Sequence, residues 1–205
     1  MIQQNIKKFN EMYSIPIVSS KDELIRLNRF KDIFLEEISE KSDILSINST
    51  IPKTVAVLDW VGDLMIYCLS ECQRWGFAQH LMGFEKLLSL YEQSKTSKNI
   101  RLPNDYDLNR FSDNLSGGLQ QPLRGVVSGF IRSLLFEAMF EIFLFAKTFN
   151  ISLFEVIGII MESNFSKLGE DGKPIFDDRG KLLKGPNFRP PEPELEIYLR
   201  NNWGI

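Results

Sequence analysis

The chain of 205 residues is long enough for one domain with a hydrophobic core, since 43% of its residues are hydrophobic and 12% are aromatic. Its single histidine, His80, and two cysteines, Cys68 and Cys72, are too few for a Cys/His zinc site or a disulfide framework. A net charge of −3 does not favour DNA or RNA as a partner. Carboxylates are therefore the groups left for chemistry, and they suit hard cations such as Mg²⁺.

The sequence predicts a cytoplasmic protein without a membrane partner. No apolar segment of the secretory type follows Lys7 and Lys8. The two longest apolar stretches, 55–69 and 134–149, are interrupted by charged residues before they reach the ~20 apolar residues of a membrane span. The two cysteines lie four residues apart on a predicted helix, and we expect them to be core residues in a reducing compartment.

Helical periodicity runs through most of the chain. We predict six helices, in chain order over 3–13, 20–43, 53–75, 77–91, 122–149 and 152–164. Capping boxes, at Ser20 with Glu23 and at Ser152 with Glu155, mark the start of the second and the last of them. Pro122 suits a first helical position, and Gly76 and Asn150 follow predicted helix ends. These elements predict an all-α protein built as a helical bundle.

Two segments lack a helical period. Residues 92–121 contain Pro103, Gly117 and Gly118, and we predict one long loop there. Residues 165–205 are rich in glycine and proline and are predicted to be a C-terminal arm. Within this arm, residues 174–183 predict a small β-hairpin that turns at 177–180.

Acidic side chains gather on two consecutive predicted helices. Glu36, Glu37 and Glu40 share an arc of about 100° on the first helix, where a divalent cation would reverse their mutual repulsion. Asp59 and Asp63 lie one turn apart in an otherwise apolar stretch, where an unpaired buried carboxylate is costly. The spacing leaves two interpretations open: an exposed acidic helix face, or a carboxylate metal site between packed helices.

Two further groups of residues could take part in chemistry. Glu137 and Glu141 form a similar pair on a later helix and could join the same site or a salt bridge. Near the end of the last predicted helix the sequence offers an amide and several ammonium groups, which suit a polyphosphate: Asn164, Lys167, Lys173, Lys181 and Lys184. The alternative is an ordinary exposed tail, because no P-loop pattern is present.

Together these motifs resemble the MazG-like, all-α nucleoside triphosphate pyrophosphohydrolase superfamily. Residues 35–40 resemble its Glu-Glu-x-x-Glu helix, and residues 58–64, Leu-Asp-Trp-Val-Gly-Asp-Leu, are similar to the acidic helix that follows. Residues 161–175 and 180–188 resemble the tail of a phosphoribosyl-ATP pyrophosphohydrolase-like branch. The resemblance covers about 5–77 and 151–194. It implies one MazG-like domain over 1–205, with 78–150 as an inserted helical segment and 165–205 as the arm.

The resemblance also implies a reaction: a Mg²⁺- or Mn²⁺-dependent enzyme would hydrolyse a nucleoside triphosphate to pyrophosphate and a nucleoside monophosphate. Glu37, Glu40 and Asp63 would bind the metal with Asp59 beside them, and Glu36 would be a further ligand or would orient the attacking water. The phosphates would be held by Asn164, Lys167, Lys173 and Lys184. The family habit implies a homodimer or homotetramer whose partner is the nucleotide substrate.

The sequence departs from the family pattern in two places. Trp60 stands where the family has a glutamate, with an acid only one position earlier, at Asp59. The inserted segment 78–150 also separates the acidic helices from the tail, so Glu137 or Glu141 could complete the site in place of Asp63. These departures leave an alternative, a non-catalytic homologue that binds a nucleotide or acts as a scaffold.

Overall fold

The computed structural model describes residues 2–94, 101–178 and 181–204, and these residues are mostly helical. The all-α prediction is therefore confirmed. The described helices are α1 (Ile2–Met12), α2 (Glu23–Ser39), α3 (Lys41–Ser46), α4 (Thr50–Arg74), α5 (Ala78–Ser94), α6 (Asp105–Leu119), α7 (Val127–Thr148), α8 (Leu153–Asn164) and α9 (Glu192–Trp203).

The central element of the bundle is α4, which packs against α1, α2, α7, α8 and α9. It is buried almost all round because its residues are apolar on nearly every face. At Gly62 the helix approaches α8 so closely that an added Cβ would lie 2.1 Å from Ile160 Cδ1. Asp63, the next residue, projects about 100° round α4 from this contact.

Helices α2 and α4 run antiparallel. The indole Nε1 of Trp60 donates to the backbone carbonyl of Glu37 at 2.8 Å, and at the other end of the pair the Arg26 guanidinium contacts the Glu71 carboxylate. Residue numbers therefore rise along α4 in the direction in which they fall along α2. The Glu37 end of α2 lies near Asp63, and a groove between the helices leads from there to Arg26 and Glu71.

The predicted helix starts have mixed outcomes. The second capping box is confirmed in part, because the Ser152 hydroxyl accepts from the Glu155 backbone N–H at 3.3 Å at the start of α8. The first is wrong: α2 begins only at Glu23, and its N-cap residue, Asp22, makes no capping hydrogen bond. The Asp22 carboxylate accepts a hydrogen bond from the Ser19 hydroxyl instead.

The loop predicted over 92–121 is wrong in its second half, where the chain forms α6. Asn104 and Asp107 form a reciprocal capping box at its start. Its buried residues recur at three- and four-residue spacings: Leu108, Phe111, Ser112, Leu115 and Leu119. The predicted start of the next helix at Pro122 is also wrong, because α7 begins at Val127 after a segment in which Gly125 has a φ of 73°. Residues 95–100 lie outside the described part of the chain.

The C-terminal arm contains a helix that its proline content concealed. Helix α9 starts with a proline in its first turn, where a missing N–H costs nothing, and buries Leu195, Tyr198 and Leu199. The predicted hairpin appears as a single antiparallel bridge between Phe176 and Leu182, without named strands in the described residues. Part of its predicted turn, residues 179–180, lies outside the described residues.

The membrane prediction concerns the long apolar helices. No single helix in the described residues is long and apolar enough to cross a membrane. Helices α7 and α8 meet the length and composition criteria only as a pair, and they are bent by 115° relative to each other.

Candidate functional site

A cavity of about 450 Å³ lies between α2, α4, the end of α8 and the arm. Its walls include Glu37 from α2, Asp63 from α4, and Asn164 and Lys167 from the end of α8. These four residues come from three separate sequence motifs, and the fold brings them to one space. The cavity therefore combines carboxylates with an amide and an ammonium group.

Lys181 enters this cavity from the arm and lies between two of the predicted acidic residues. Its ammonium group is 2.7 Å from Glu37 Oε1 and 3.1 Å from Glu36 Oε1. Burial lowers the pKa of Lys181, but its hydrogen bonds and charge attraction to Glu37 and Glu36 prevail and raise that pKa above its ordinary value. Lys181 was predicted only as one of several lysines suited to a polyphosphate; its contact with the glutamates depends on the Phe176–Leu182 bridge beside it.

Glu40 and Asp59 line a neighbouring cavity of about 730 Å³, which also includes Trp60 and Glu192. Burial, with the nearby charges of Glu37 and Asp63, raises the pKa of the Glu40 carboxyl to about 7. Burial and then the charge of Asp63 raise the pKa of Asp59 well above its ordinary value. Among the described residues, no lysine or arginine lines this second cavity.

These carboxylates are the ligand type that a divalent cation needs, but they are not gathered closely enough to bind one. Carboxylate oxygens are the ligands that Mg²⁺ and Mn²⁺ prefer. The pKa values of Glu40 and Asp59 are raised first by burial and then by neighbouring carboxylates, and a bound cation would favour the charged form of both groups. Within the described ranges, however, no three histidine, cysteine, aspartate or glutamate side chains are gathered closely enough to hold a metal ion. The ammonium of Lys181 lies between Glu36 and Glu37, so a cation would have to displace it.

The predicted phosphate-binding residues divide into two groups. Asn164 is 4% exposed, and its backbone carbonyl accepts a 2.6 Å hydrogen bond from the Tyr13 hydroxyl. Lys167 and Lys184 both lie over the Phe188 ring, with Nζ 5.8 and 4.8 Å from its centroid. Only Lys167 of these two lines the cavity. Lys173 has a side chain 79% exposed beside Asp171 and does not line the cavity.

The alternative acidic pair lies elsewhere. Glu137 and Glu141, on α7, line a separate concavity. Glu141 accepts a hydrogen bond of 3.1 Å from the Asn114 side chain of α6. Asp63 is therefore the residue that shares a cavity with Glu37.

The far end of the cavity contains arginines that the sequence analysis missed. Arg26 and Arg29 from α2 and Arg74 from α4 line this end, together with Tyr67 and Glu71. A signal was present in the sequence, since Tyr67, Glu71 and Arg74 follow Asp63 at helical spacings on the same face of α4. The antiparallel packing of α2 is what adds the other two arginines, and spacing alone does not reveal it.

Comparison with known proteins assigns no family to the chain. No family model, no curated protein and no solved structure matches it. The functional interpretation therefore depends on the cavity itself, with Glu37 and Asp63 at one end and the arginines at the other.

Proposed function

We propose that the chain is a Mg²⁺-dependent nucleoside triphosphate pyrophosphohydrolase with a MazG-like core. The observation that carries this proposal is the single cavity shared by Glu37, Asp63, Asn164 and Lys167. A metal-bound polyphosphate needs carboxylates for the cation and hydrogen-bond donors for the phosphate oxygens, side by side. The cavity supplies both.

The proposed metal site comprises the acidic end of this cavity, at Glu37 and Asp63, and the adjoining carboxylates of the neighbouring cavity, Glu40 and Asp59. Glu37, Glu40 and Asp63 would hold Mg²⁺ or Mn²⁺, with Asp59 next to them. When bound, the metal supplies charge neutralisation at the phosphate oxygens and lowers the pKa of bound water. Glu36, whose side chain is 38% exposed, would accept a proton from a water molecule or would serve as a further ligand.

The phosphate-binding residues act on the triphosphate. Lys167 and the Asn164 amide would stabilise negative charge that develops on the phosphoryl oxygens, with Lys184 nearby and Lys173 a more distant contributor. Water attacks one of the two phosphorus atoms of the α–β anhydride, and the P–O bond between the α- and β-phosphates breaks. Pyrophosphate and a nucleoside monophosphate then leave. The water proton passes to Glu36. The hydroxyl of Tyr13 holds the Asn164 backbone in position during this step.

The proposal also covers the inserted segment and the oligomeric state. Residues 78–150, an insertion relative to the family pattern, supply α5, α6 and α7 around α4. We expect a cytoplasmic homodimer or homotetramer, as the family resemblance implies.

A nucleotide panel tests the reaction. We would incubate the protein with each nucleoside triphosphate and Mg²⁺ and separate the products by anion exchange. Equal amounts of monophosphate and pyrophosphate, absent in EDTA and lost in Glu37→Gln, are the expected result. Glu137→Gln, which alters a glutamate outside the cavity, is the control and should retain turnover. Turnover that is insensitive to EDTA, or no pyrophosphate from any nucleotide, would contradict the proposal.

Two observations favour a second candidate, a nucleotide-binding homologue without catalysis. The Lys181 ammonium already forms ion pairs with both Glu36 and Glu37, in the position that a cation would take. Trp60, where the family has a glutamate, is 3% exposed and donates to the Glu37 carbonyl, so it has a structural role at that position. Thermal stabilisation by a nucleotide in EDTA, with no product formed in Mg²⁺, would support this candidate.

A further inference from the structure

We propose that the end of the cavity opposite Glu37 and Asp63 is a second oxyanion subsite, in which Arg29, Arg74 and the hydroxyl of Tyr67 bind a phosphate group. Because the ligand is taken to be the nucleotide, this inference rests on the proposed function. The subsite would hold a phosphate that is separate from the triphosphate chain at the acidic end.

The two ends of the cavity are far enough apart to hold different groups of one ligand. At the helical rise of 1.5 Å per residue, Arg29 lies roughly 12 Å along α2 from Glu37, and Arg74 lies roughly 16 Å along α4 from Asp63. Both pairs line the same cavity. A ligand whose phosphates meet the acidic end therefore presents its other end to the arginines.

The arginine end carries uncompensated positive charge. Glu71 is the one carboxylate that lines it among the described residues, and it is 1% exposed. Both of its oxygens are already used, because it accepts from Arg26 and, at 3.3 Å each, from Arg74 and Trp75. No carboxylate of the described residues lies within ion-pair distance of Arg29. One negative charge thus faces three guanidinium groups.

Burial, and then mutual repulsion, lower the pKa values of two of these arginines. Burial and the charges of Arg74 and Arg29 lower the pKa of Arg26 to about 10. Burial and the charge of Arg29 also lower the pKa of Arg74 to about 10, against the attraction of Tyr67. An anion between the guanidinium groups would remove this repulsion.

Two buried polar atoms in the cavity wall have no hydrogen-bond partner among the described residues: the Tyr67 hydroxyl and Nε of Arg74. The Arg26 guanidinium lies close to this hydroxyl, and its charge opposes the rise that burial causes in the pKa of Tyr67. Leaving such groups unpaired is costly, so their place in a cavity points to a ligand that pairs them. A phosphate has enough acceptor oxygens for both of them and for Arg29.

The binding experiment is made in EDTA, so that it does not depend on metal or turnover. Isothermal titration calorimetry would compare adenosine 3′,5′-bisphosphate with adenosine 5′-monophosphate, which lacks the second phosphate. We expect the bisphosphate to bind at least tenfold more tightly, and Arg29→Gln to remove that preference. Arg132→Gln, on an exposed face of α7, should keep it. Equal affinities of the wild type for the bisphosphate and the monophosphate would overturn the subsite, as would an equal loss of preference in Arg29→Gln and Arg132→Gln. Neither result would bear on the proposed hydrolysis, which has its own test.

Tyr67→Phe separates binding from structure, because the ring keeps its stacking on Phe30 and Phe34 at centroid distances of 5.7 and 5.9 Å. Removing an unpaired buried hydroxyl should leave the melting temperature of the ligand-free protein equal or higher. The affinity for the bisphosphate should fall several-fold, whereas Tyr106→Phe, at a residue 71% exposed, should change neither quantity. A lower melting temperature with unchanged bisphosphate affinity would show that the hydroxyl is structural and would overturn its role.

Discussion

Lys181→Met should strengthen the binding of Mg²⁺ to the free protein. The lysine ammonium lies between Glu36 and Glu37, where the proposed cation must bind, so the two positive charges compete. Methionine keeps the apolar stem of the side chain and removes only the charge. In the variant, the carboxylates of Glu36 and Glu37 are therefore no longer paired with an ammonium group and are available to the cation.

The distances and exposures set the size of the effect. The two ion pairs measure 2.7 and 3.1 Å, and the side chains are between 14% and 38% exposed. An exposed ion pair contributes roughly 0.2–1 kcal/mol, so two partly buried pairs on one ammonium should contribute about 1–2 kcal/mol. At about 1.4 kcal/mol per tenfold, the affinity for Mg²⁺ should rise about five- to thirtyfold.

Isothermal titration with MgCl₂, without nucleotide, measures this change. Lys173→Met is the matched control, since that lysine belongs to the same arm but is exposed and lies 3.9 Å from Asp171, away from the cavity. Its affinity for Mg²⁺ should stay within about twofold of the wild type. An unchanged or weaker affinity in Lys181→Met would refute the competition between lysine and cation.

Three other substitutions test the surroundings of the site. Burial raises the pKa of the Asp59 carboxyl to about 8 from an ordinary value near 4, so folding takes up a proton between these pH values and the free energy of unfolding falls as the pH rises through them. Urea unfolding at pH 5 and at pH 9 should therefore show a smaller decrease in the free energy of unfolding for Asp59→Asn than for the wild type. Gly62→Ala places a methyl group against Ile160 and should lower the free energy of unfolding by about 1–3 kcal/mol in the same assay. Tyr13→Phe removes the hydroxyl bonded to the Asn164 carbonyl and should cost about 1 kcal/mol in stability and raise KM for the nucleotide.

The helices with a strong period could be predicted from the sequence, whereas α6 and α9 could not. The span of α4 follows from its apolar run and ends before Gly76, whose φ of 74° only glycine adopts easily. By contrast, α6 contains Gly117 and Gly118, which weaken the helical signal, and α9 lies in a proline-rich segment. Both helices form because their buried side chains pack on the rest of the bundle, which overrides weak local propensity.

The candidate site divides in the same way. Among the predicted site residues, Glu37, Asp63, Asn164 and Lys167 share a cavity in the folded chain, whereas Glu40 and Asp59 line the neighbouring one. Lys181 could not be assigned from spacing, because its ammonium reaches Glu37 only through the bridge next to it in the arm. The arginine end was likewise hidden, since it forms only when α2 packs antiparallel to α4.

Counting bound Mn²⁺ by electron paramagnetic resonance tests most directly whether the acidic end of the cavity is a metal site. The titration would use the full chain with a non-hydrolysable triphosphate, and would compare wild type with Glu37→Gln, Asp63→Asn and the control Glu137→Gln. We expect protein-bound Mn²⁺ in the wild type and in Glu137→Gln, and its loss in the other two variants. Binding that persists in both Glu37→Gln and Asp63→Asn, or no Mn²⁺ bound beyond that held by free nucleotide, would contradict the site.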